Sequence, residues 1–359
     1  MKTKPLASFC FGNHNTPNAV EDYTYFVQKA LESSGIRTSI TRQIPSTQAI
    51  LALQEDFDKK EVRSIERFKK INPKSKIIFI ATENIEGDSF NDIFELNKIL
   101  AKAPFLEELG RNQIKTENLP KYLFNKYISR LMRDLQGFHN IHNRIRHDHL
   151  GGLHRRYLNF LRVAPLADQI WLMPGLTMVP YTKLFGDKIK PFPFVLSPAK
   201  QRHSDAITFG VLLSGKISPH RRGLLNYLGM KEAGGILAES PSEHEVVTSS
   251  FDIPLSIRRE MLKTVGVYLD LPVAEGSQIF SSIKAAVALE GGIPFFALSQ
   301  ADPGMFAPFV RTFPDIHSLK RVLESHRRED FVEMGAHFSA EAAKAFTPSA
   351  YPFLEELLK

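Results

Sequence analysis

The chain has 359 residues, of which 43% are apolar and 24% charged, and a formal net charge of +7. That length suits two ordinary domains, and the composition excludes a disordered chain or a miniprotein that needs disulfide or metal staples. A single cysteine, Cys10, excludes an intrachain disulfide, and no run approaches the ~18–20 apolar residues of a membrane span.

A soluble protein of the reducing cytoplasm is therefore the expectation. The start, Met1-Lys2-Thr3-Lys4-Pro5, leads into an apolar run too short for a signal segment, with no small-residue cleavage site after it. Lys4–Phe11 is read as a strand ending in the turn Gly12-Asn13-His14-Asn15, and Cys10 as a buried residue of that strand. Val20–Ser34 has apolar residues at helical spacing and stops before Gly35. Arg37–Thr41 and Ala49–Leu53 read as strands, and Lys59–Ile71 as a basic amphipathic helix ended by Asn72-Pro73. Lys76–Ala81 lacks polar alternation, as a strand inside a parallel sheet covered on both faces does. From about 92 to 162 the pattern is helical, including Leu123–Leu135 and a stretch rich in Arg and His from His139. The sheet pattern resumes at Asp168–Pro174, and Pro191–Phe194 closes the first half.

Residues 197–204 are polar and basic, as a linker would be. Strands are then expected at Ala206–Ser214, Gly234–Glu239, Thr264–Leu269 and Ile293–Leu298. Helices are expected at Pro219–Leu228, Ile257–Lys263, Ser277–Glu290 and His317–Leu323, and over most of Glu329–Leu358 with breaks near Pro348 and Pro352. Repeated strand–helix order gives the fold class: α/β, two Rossmann-like doubly wound domains facing a cleft, with a helical insertion in the first. Residues 1–196 form the first domain, with the helical segment at about 92–162. Residues 205–330 form the second, and 331–359 are C-terminal helices that pack back on the first.

Two segments of the second half have the form of phosphate sites. In the first, the strand ending at Ser214 passes through Gly215 and Lys216 into a helix that opens Pro219-His220-Arg221-Arg222. Glycine allows close backbone approach, the helix start offers free N–H groups, and Lys216, His220 and Arg221 add donors. The order is not that of a Walker A loop, and ordinary surface cations after a strand remain the alternative. On this reading Arg221→Ala weakens phosphate binding without unfolding the chain. In the second, the strand ending near Asp270 leads to a helix start bearing Ser277, Gln278, Ser281 and Ser282, where plain N-capping by Ser277 is the alternative.

Candidate bases sit in loops after first-half strands. The unperturbed pKa of a histidine, close to neutrality, suits that role at His14, and Glu83 follows the fully apolar strand. Glu55 and Asp56 are weaker versions of the same idea, and Glu239 is a candidate for a sugar or ribose hydroxyl. Each of these also reads as an ordinary loop or capping residue. Five histidines (His139, His142, His147, His149, His154) lie close in sequence, but Arg144, Arg146, Arg155 and Arg156 around them oppose a cation. No metal is expected there, and the basic segment 142–162 suits an anionic acceptor or a peripheral contact with a membrane surface.

The second half resembles the donor domain of GT-B glycosyltransferases over residues 205–300, through the Ser214-Gly215…Pro219-His220-Arg221-Arg222 stretch and through Ala288-Leu289-Glu290-Gly291-Gly292-Ile293-Pro294. The first half resembles them in architecture alone. The resemblance implies transfer of a sugar from a nucleotide-activated donor to a glycan, lipid-linked or protein acceptor, in the manner of bacterial surface-glycan synthesis. It implies donor binding by Ser214, Gly215, Lys216, His220, Arg221, Glu239, Ser277, Gln278, Ser281 and Ser282, with His14 and Glu83 as catalytic candidates. The Glu-x7-Glu pattern of many retaining members is missing, although Asp270 and Glu275 lie nearby, so an inverting, metal-independent reaction with no cofactor beyond the donor is expected. Two alternatives stay open: another two-Rossmann nucleotide-sugar enzyme of the epimerase kind, or a basic nucleic-acid-binding protein. No helix-turn-helix, zinc or RRM signature supports the latter, and no nucleic-acid partner is expected. A nicotinamide cofactor is disfavoured because Gly-x-Gly-x-x-Gly is absent after the first strand.

Overall fold

The computed structural model describes residues 5–11, 17–55, 57–86, 89–90, 150–176, 178–214, 217–233, 245–249, 255–272, 280–299 and 301–358. The first half contains β1 (Leu6–Cys10), α1 (Pro17–Ser33), β2 (Arg37–Thr41), β3 (Ile50–Gln54), α2 (Lys59–Ile71) and β4 (Lys76–Ala81). A small hairpin of β5 (Ile85–Glu86) and β6 (Ser89–Phe90) follows, then α3 (Leu150–Val163), β7 (Gln169–Leu172), α4 (Met178–Phe185) and β8 (Ile189–Pro191). Six strands pair in the order β2-β1-β3-β4-β7-β8, all parallel. The unbroken apolar run of β4 is explained by its two covered faces. Ile78 and Ile80 pack in one cluster with Phe26, Val27 and Ala30 of α1, while Ile77 and Phe79 pack in another with Val62, Ile65 and Phe68 of α2. A capping box fixes the start of α2: Asp58 accepts from the Glu61 N–H at 2.7 Å, and Glu61 accepts from the Asp58 N–H at 2.9 Å.

The second half contains β9 (Phe209–Ser214), α5 (Pro219–Tyr227), β10 (Lys231–Ala233), β11 (Glu245–Ser249), α6 (Leu255–Lys263) and β12 (Val265–Asp270). After these come α7 (Ser282–Glu290), β13 (Phe295–Leu298), β14 (Arg311–Phe313), α8 (Ile316–Ser325) and α9 (Arg328–Ala345). Its six strands run β10-β11-β9-β12-β13-β14, again all parallel.

Several elements differ from the sequence reading. The strand expected at 234–239 lies outside the described residues, and strands stand on either side of it, at β10 and β11. The edge strand β14 and the helix α4 were not anticipated, because Arg311-Thr312-Phe313 is too short for a period and Pro180 interrupts the helical pattern. Helix α7 begins at Ser282 rather than Ser277. Phe280, 2% exposed, packs on Phe295 and Phe306 and holds the chain out of the helix before Ser281. The helical segment at about 92–162 is described only from Leu150, where α3 is helical.

Of the C-terminal residues, α9 lies on the second sheet rather than on the first domain. Gly335 sits so close to the turn before β13 that a Cβ there would lie 2.2 Å from the Gly292 carbonyl oxygen. Only the tail beyond α9 returns to the first sheet, where the Gln169 amide donates to the Phe353 carbonyl at 2.9 Å and the Trp171 and Phe353 rings meet at 6.3 Å.

An aromatic seam joins the halves. Phe194 packs edge-on against Phe26 of α1 at 5.2 Å and against Phe306, beyond β13, at 5.1 Å, and Phe306 continues to Phe346 at 4.9 Å. In both sheets the strand order reverses beside the first strand, at β1 between β2 and β3 and at β9 between β11 and β12. Open parallel sheets take their ligands in the crevice beyond the carboxyl ends at such points. Gly175, in the loop after β7 with φ +90°, would place a Cβ 3.0 Å from the carbonyl oxygen of Phe280 just ahead of α7. The loop at the carboxyl end of the first sheet thus touches the entry of α7 in the second half, and the two carboxyl edges share one cleft.

Candidate functional site

On the first-domain side, two glutamates stand at the carboxyl ends of the adjacent strands β3 and β4. The Glu55 N–H donates to the Ile80 carbonyl at 3.2 Å, so the ladder carries one residue past β3 and fixes where the side chain starts. Glu55 is fully buried. Its Oε1 accepts from the Thr82 N–H at 2.9 Å and from the Thr82 hydroxyl at 2.6 Å. The Thr82 hydroxyl in turn accepts from the Gln54 amide at 3.0 Å. This chain turns the Thr82 proton towards Glu55, so Oε1 is an acceptor and a proton on the carboxyl sits on Oε2. That second oxygen is buried with no partner among the described residues. Burial first, and then the charge of Glu83, push the Glu55 pKa up to about 8, against the opposing pull of Thr82 and Arg156.

Glu83 has a different environment. It is half-buried, and Arg156 of α3 donates to its Oε1 at 3.0 Å. Its backbone carbonyl accepts from the buried Tyr181 hydroxyl of α4 at 2.6 Å. Burial, with the charges of Glu55 and Glu83 behind it, holds the Tyr181 phenol far above its ordinary pKa, and the same causes raise Tyr23 of α1. The result is a carboxyl that favours its neutral form beside a carboxylate held by an arginine. Pairs of acids with environments pulled apart in this way are how proteins separate acid and base roles.

On the second-domain side, the Ser214 and Tyr268 hydroxyls share a 2.6 Å hydrogen bond across β9 and β12. Arg221 of α5 is 4% exposed, and its Nε and one terminal nitrogen donate to the Leu271 carbonyl at 2.9 and 2.7 Å. Its guanidinium also lies 4.0 Å from Asp270, which Lys284 of α7 holds at 2.7 Å. Desolvation lowers the Arg221 pKa and the charge of Asp270 opposes it, so the guanidinium stays charged. Arg221 therefore braces the loop that leads from β12 towards α7, a role that its spacing from Ser214 does not reveal. His220 is half-buried on the first turn of α5, which Ser218 caps by accepting from the Arg221 N–H at 3.1 Å. Ser281 stands at the start of α7 with no side-chain cap hydrogen bond, and Ser282 is buried in its first turn. The helix start offers N–H groups and positive partial charge towards the cleft.

His14, Asp56, Gly215, Lys216, Glu239, Glu275, Ser277 and Gln278 lie outside the described residues, as do His139, His142, His147 and His149. Part of the basic segment 142–162 is engaged internally: Arg156 pairs with Glu83, and Arg162 makes a two-pronged pair with Glu66 at 2.7 and 3.0 Å. Among the described residues no three His, Cys, Asp or Glu side chains gather as metal ligands do, and no helix is long and apolar enough to cross a membrane. The sequence reading ranked Glu55 below Glu83 and missed Thr82, Arg156 and Tyr181 as their partners. The one available signal was the polar triplet Thr82-Glu83-Asn84 after an apolar strand.

Two doubly wound domains, joined at an apolar seam and facing one cleft with their carboxyl edges, make the GT-B type of fold. The solved structures it resembles agree. An alpha-glucosyltransferase (AGT) in complex with UDP aligns over 99% of this chain and 100% of its own, with a TM-score of 0.53 and 9% identity. An alpha-glucosyltransferase with UDP and a 13-mer DNA containing an HMU base aligns over the same shares, with a TM-score of 0.51 and 9% identity. No protein-family model and no curated protein matches the sequence.

Proposed function

We propose that this protein is a glycosyltransferase that moves a sugar from a nucleoside-diphosphate donor to a hydroxyl acceptor with inversion and without a metal. The observation that carries the reading is the pair Glu55 and Glu83 at the carboxyl ends of β3 and β4. An acceptor hydroxyl attacks the anomeric carbon, the bond from that carbon to the diphosphate oxygen breaks, and the bonding electrons leave with the diphosphate. The hydroxyl proton passes to Glu83, the member of the pair that Arg156 holds at 3.0 Å. Neutral Glu55 beside it avoids a second buried negative charge. His14 stays a second candidate for the base. In this reading the start of α7, with Ser281 and Ser282, and His220 of α5 serve the leaving charge, which needs fixed dipoles and cations there, and Lys216 is assigned to the same donor site. Ser214, Gly215, Glu239, Ser277 and Gln278 complete the proposed donor site, while Arg221 holds the β12 loop in place. The UDP held by the structures of this fold supports a nucleotide donor.

The acceptor class remains glycan, lipid-linked glycan or protein, with a modified DNA base added by the DNA-bound structure of the same fold. The internal ion pairs of Arg156 and Arg162 leave less of segment 142–162 for a membrane surface. A melting-temperature screen against UDP, GDP, TDP and CMP and their sugars tests the donor half, since a ligand of the folded state raises the midpoint by mass action. One nucleotide class should raise it. A cooperative melt that none of them moves overturns the proposed donor site.

A further inference from the structure

We infer that a second pocket, behind the aromatic seam, binds a small oxyanion carried on a flat apolar body. The cavity has a volume of about 550 Å³, within the range of small-molecule sites. Both halves of the protein build it. Tyr25 comes from α1, Lys200 and Arg202 from the connecting segment, Arg259 and Lys263 from α6, and Glu290 from α7. Lys263 and Glu290 are the last residues of their helices, which run back from the carboxyl ends of the sheet. The pocket therefore lies at the amino edge of the second sheet, on the opposite side from the cleft.

Its charge is unbalanced: the lining carries four cations and one carboxylate, and of the four Lys263 also pairs with Glu260 at 2.6 Å. Glu290 is already shared by Lys29, by Arg259 at 3.4 Å and by the Ser197 N–H at 3.3 Å. Among the described residues, Lys200 and Arg202 have no carboxylate partner. Arg202 donates instead to backbone carbonyls, to Gly292 at 3.2 Å and to Val265, and its Nε is buried without a partner. Desolvation, with no anion to offset it, pushes the Arg202 pKa down to about 10. A concave site with surplus cations concentrates anions. The apolar part of the ligand follows from the remaining wall. The Arg259 guanidinium lies 3.9 Å from the centre of the Tyr25 ring, and Leu262 and Val287 add aliphatic surface. A planar body fits beside that stack, with its oxyanion towards Lys200, Arg202 and Lys263.

Phenyl phosphate and benzoate are the probes, each added to the full chain at ionic strength matched with chloride. Calorimetric titration of the wild type should show binding of at least one, and the tighter of the two tells a phosphate from a carboxylate site. Lys200→Ala with Lys263→Ala should weaken that binding at least about tenfold. Both side chains are exposed and leave the core intact. Excess UDP should not displace the probe, which separates this site from the proposed donor site whether or not UDP itself binds. Absence of binding by both probes, equal affinity in the double variant, or displacement by UDP each overturns the inference.

Discussion

Replacing Glu55 by Gln should make the protein more stable, and increasingly so as the pH rises. Glu55 has an ordinary pKa of 4.5 in an unfolded chain and about 8 in the folded one. Between those values the folded protein holds a proton that the unfolded chain has released, so stability falls as pH rises through the window. One titrating group gives a slope of about 1.4 kcal/mol per pH unit, or about 5 kcal/mol across the window as an upper bound. Glutamine carries no titrating proton, keeps an oxygen for the two Thr82 donors and fills the same space. The assay is urea unfolding of wild type and Glu55→Gln at pH 5, 6, 7 and 8. It is followed by the fluorescence of Trp171, the chain's one tryptophan, which is buried in β7 of the same sheet. The difference in unfolding free energy should widen in favour of the variant by close to that slope at each step. Parallel curves would mean that Glu55 is ionised when folded, and would remove the neutral carboxyl beside the arginine-paired Glu83 on which the proposed chemistry rests.

Three further outcomes follow from the packing. Arg221→Ala leaves the Leu271 carbonyl unpaired and Asp270 with Lys284 alone, so it should cost about 2–4 kcal/mol in urea unfolding. An unchanged midpoint would return Arg221 to the role of a free phosphate ligand. Gly175→Ala forces a side chain onto φ +90° and against the Phe280 carbonyl, so it should lose about 1–3 kcal/mol and loosen nucleotide binding through α7. A melting curve and nucleotide affinity both equal to wild type would deny the contact across the cleft. Phe194→Ala removes a fully buried ring from between Phe26 and Phe306 and should lower stability by about 3–5 kcal/mol, with a larger radius of gyration in solution scattering. A variant of wild-type stability and size would show that the seam does not hold the halves together.

The sequence was most legible where periodicity ran long enough to count. The bounds of β2, α2 and β4 match the reading residue for residue, because amphipathic Lys59–Ile71 and unbroken Lys76–Ala81 each have one structural solution. Short strands were not legible: β11 offers two adjacent valines and the edge strand β14 a single phenylalanine, too little for a period of two to register. The start of α7 was misplaced because Ser277 is a good cap by type, while the anchor at Phe280 depends on Phe295 and Phe306, which come later in the chain. The same holds at the site. Glu83 could be suspected from the strand before it. The raised pKa of Glu55 depends on burial that no local pattern encodes and on Glu83 at the end of the neighbouring strand, against the pull of Thr82. Arg221 shows the converse, since its spacing after Ser214 suggests a ligand donor and its contacts with Leu271, 50 residues away, make it a brace.

The most direct test of the account is release of nucleoside diphosphate from a panel of nucleotide sugars by wild type and Glu83→Gln, with mixed glycans, lipid-linked glycans, peptides and hydroxymethylated DNA as acceptors. The account predicts acceptor-dependent release with one nucleotide class. It also predicts a loss of at least about a hundredfold in rate for the variant, with nucleotide affinity unchanged. Full activity in a folded Glu83→Gln protein, or no release from any donor that binds, would contradict it.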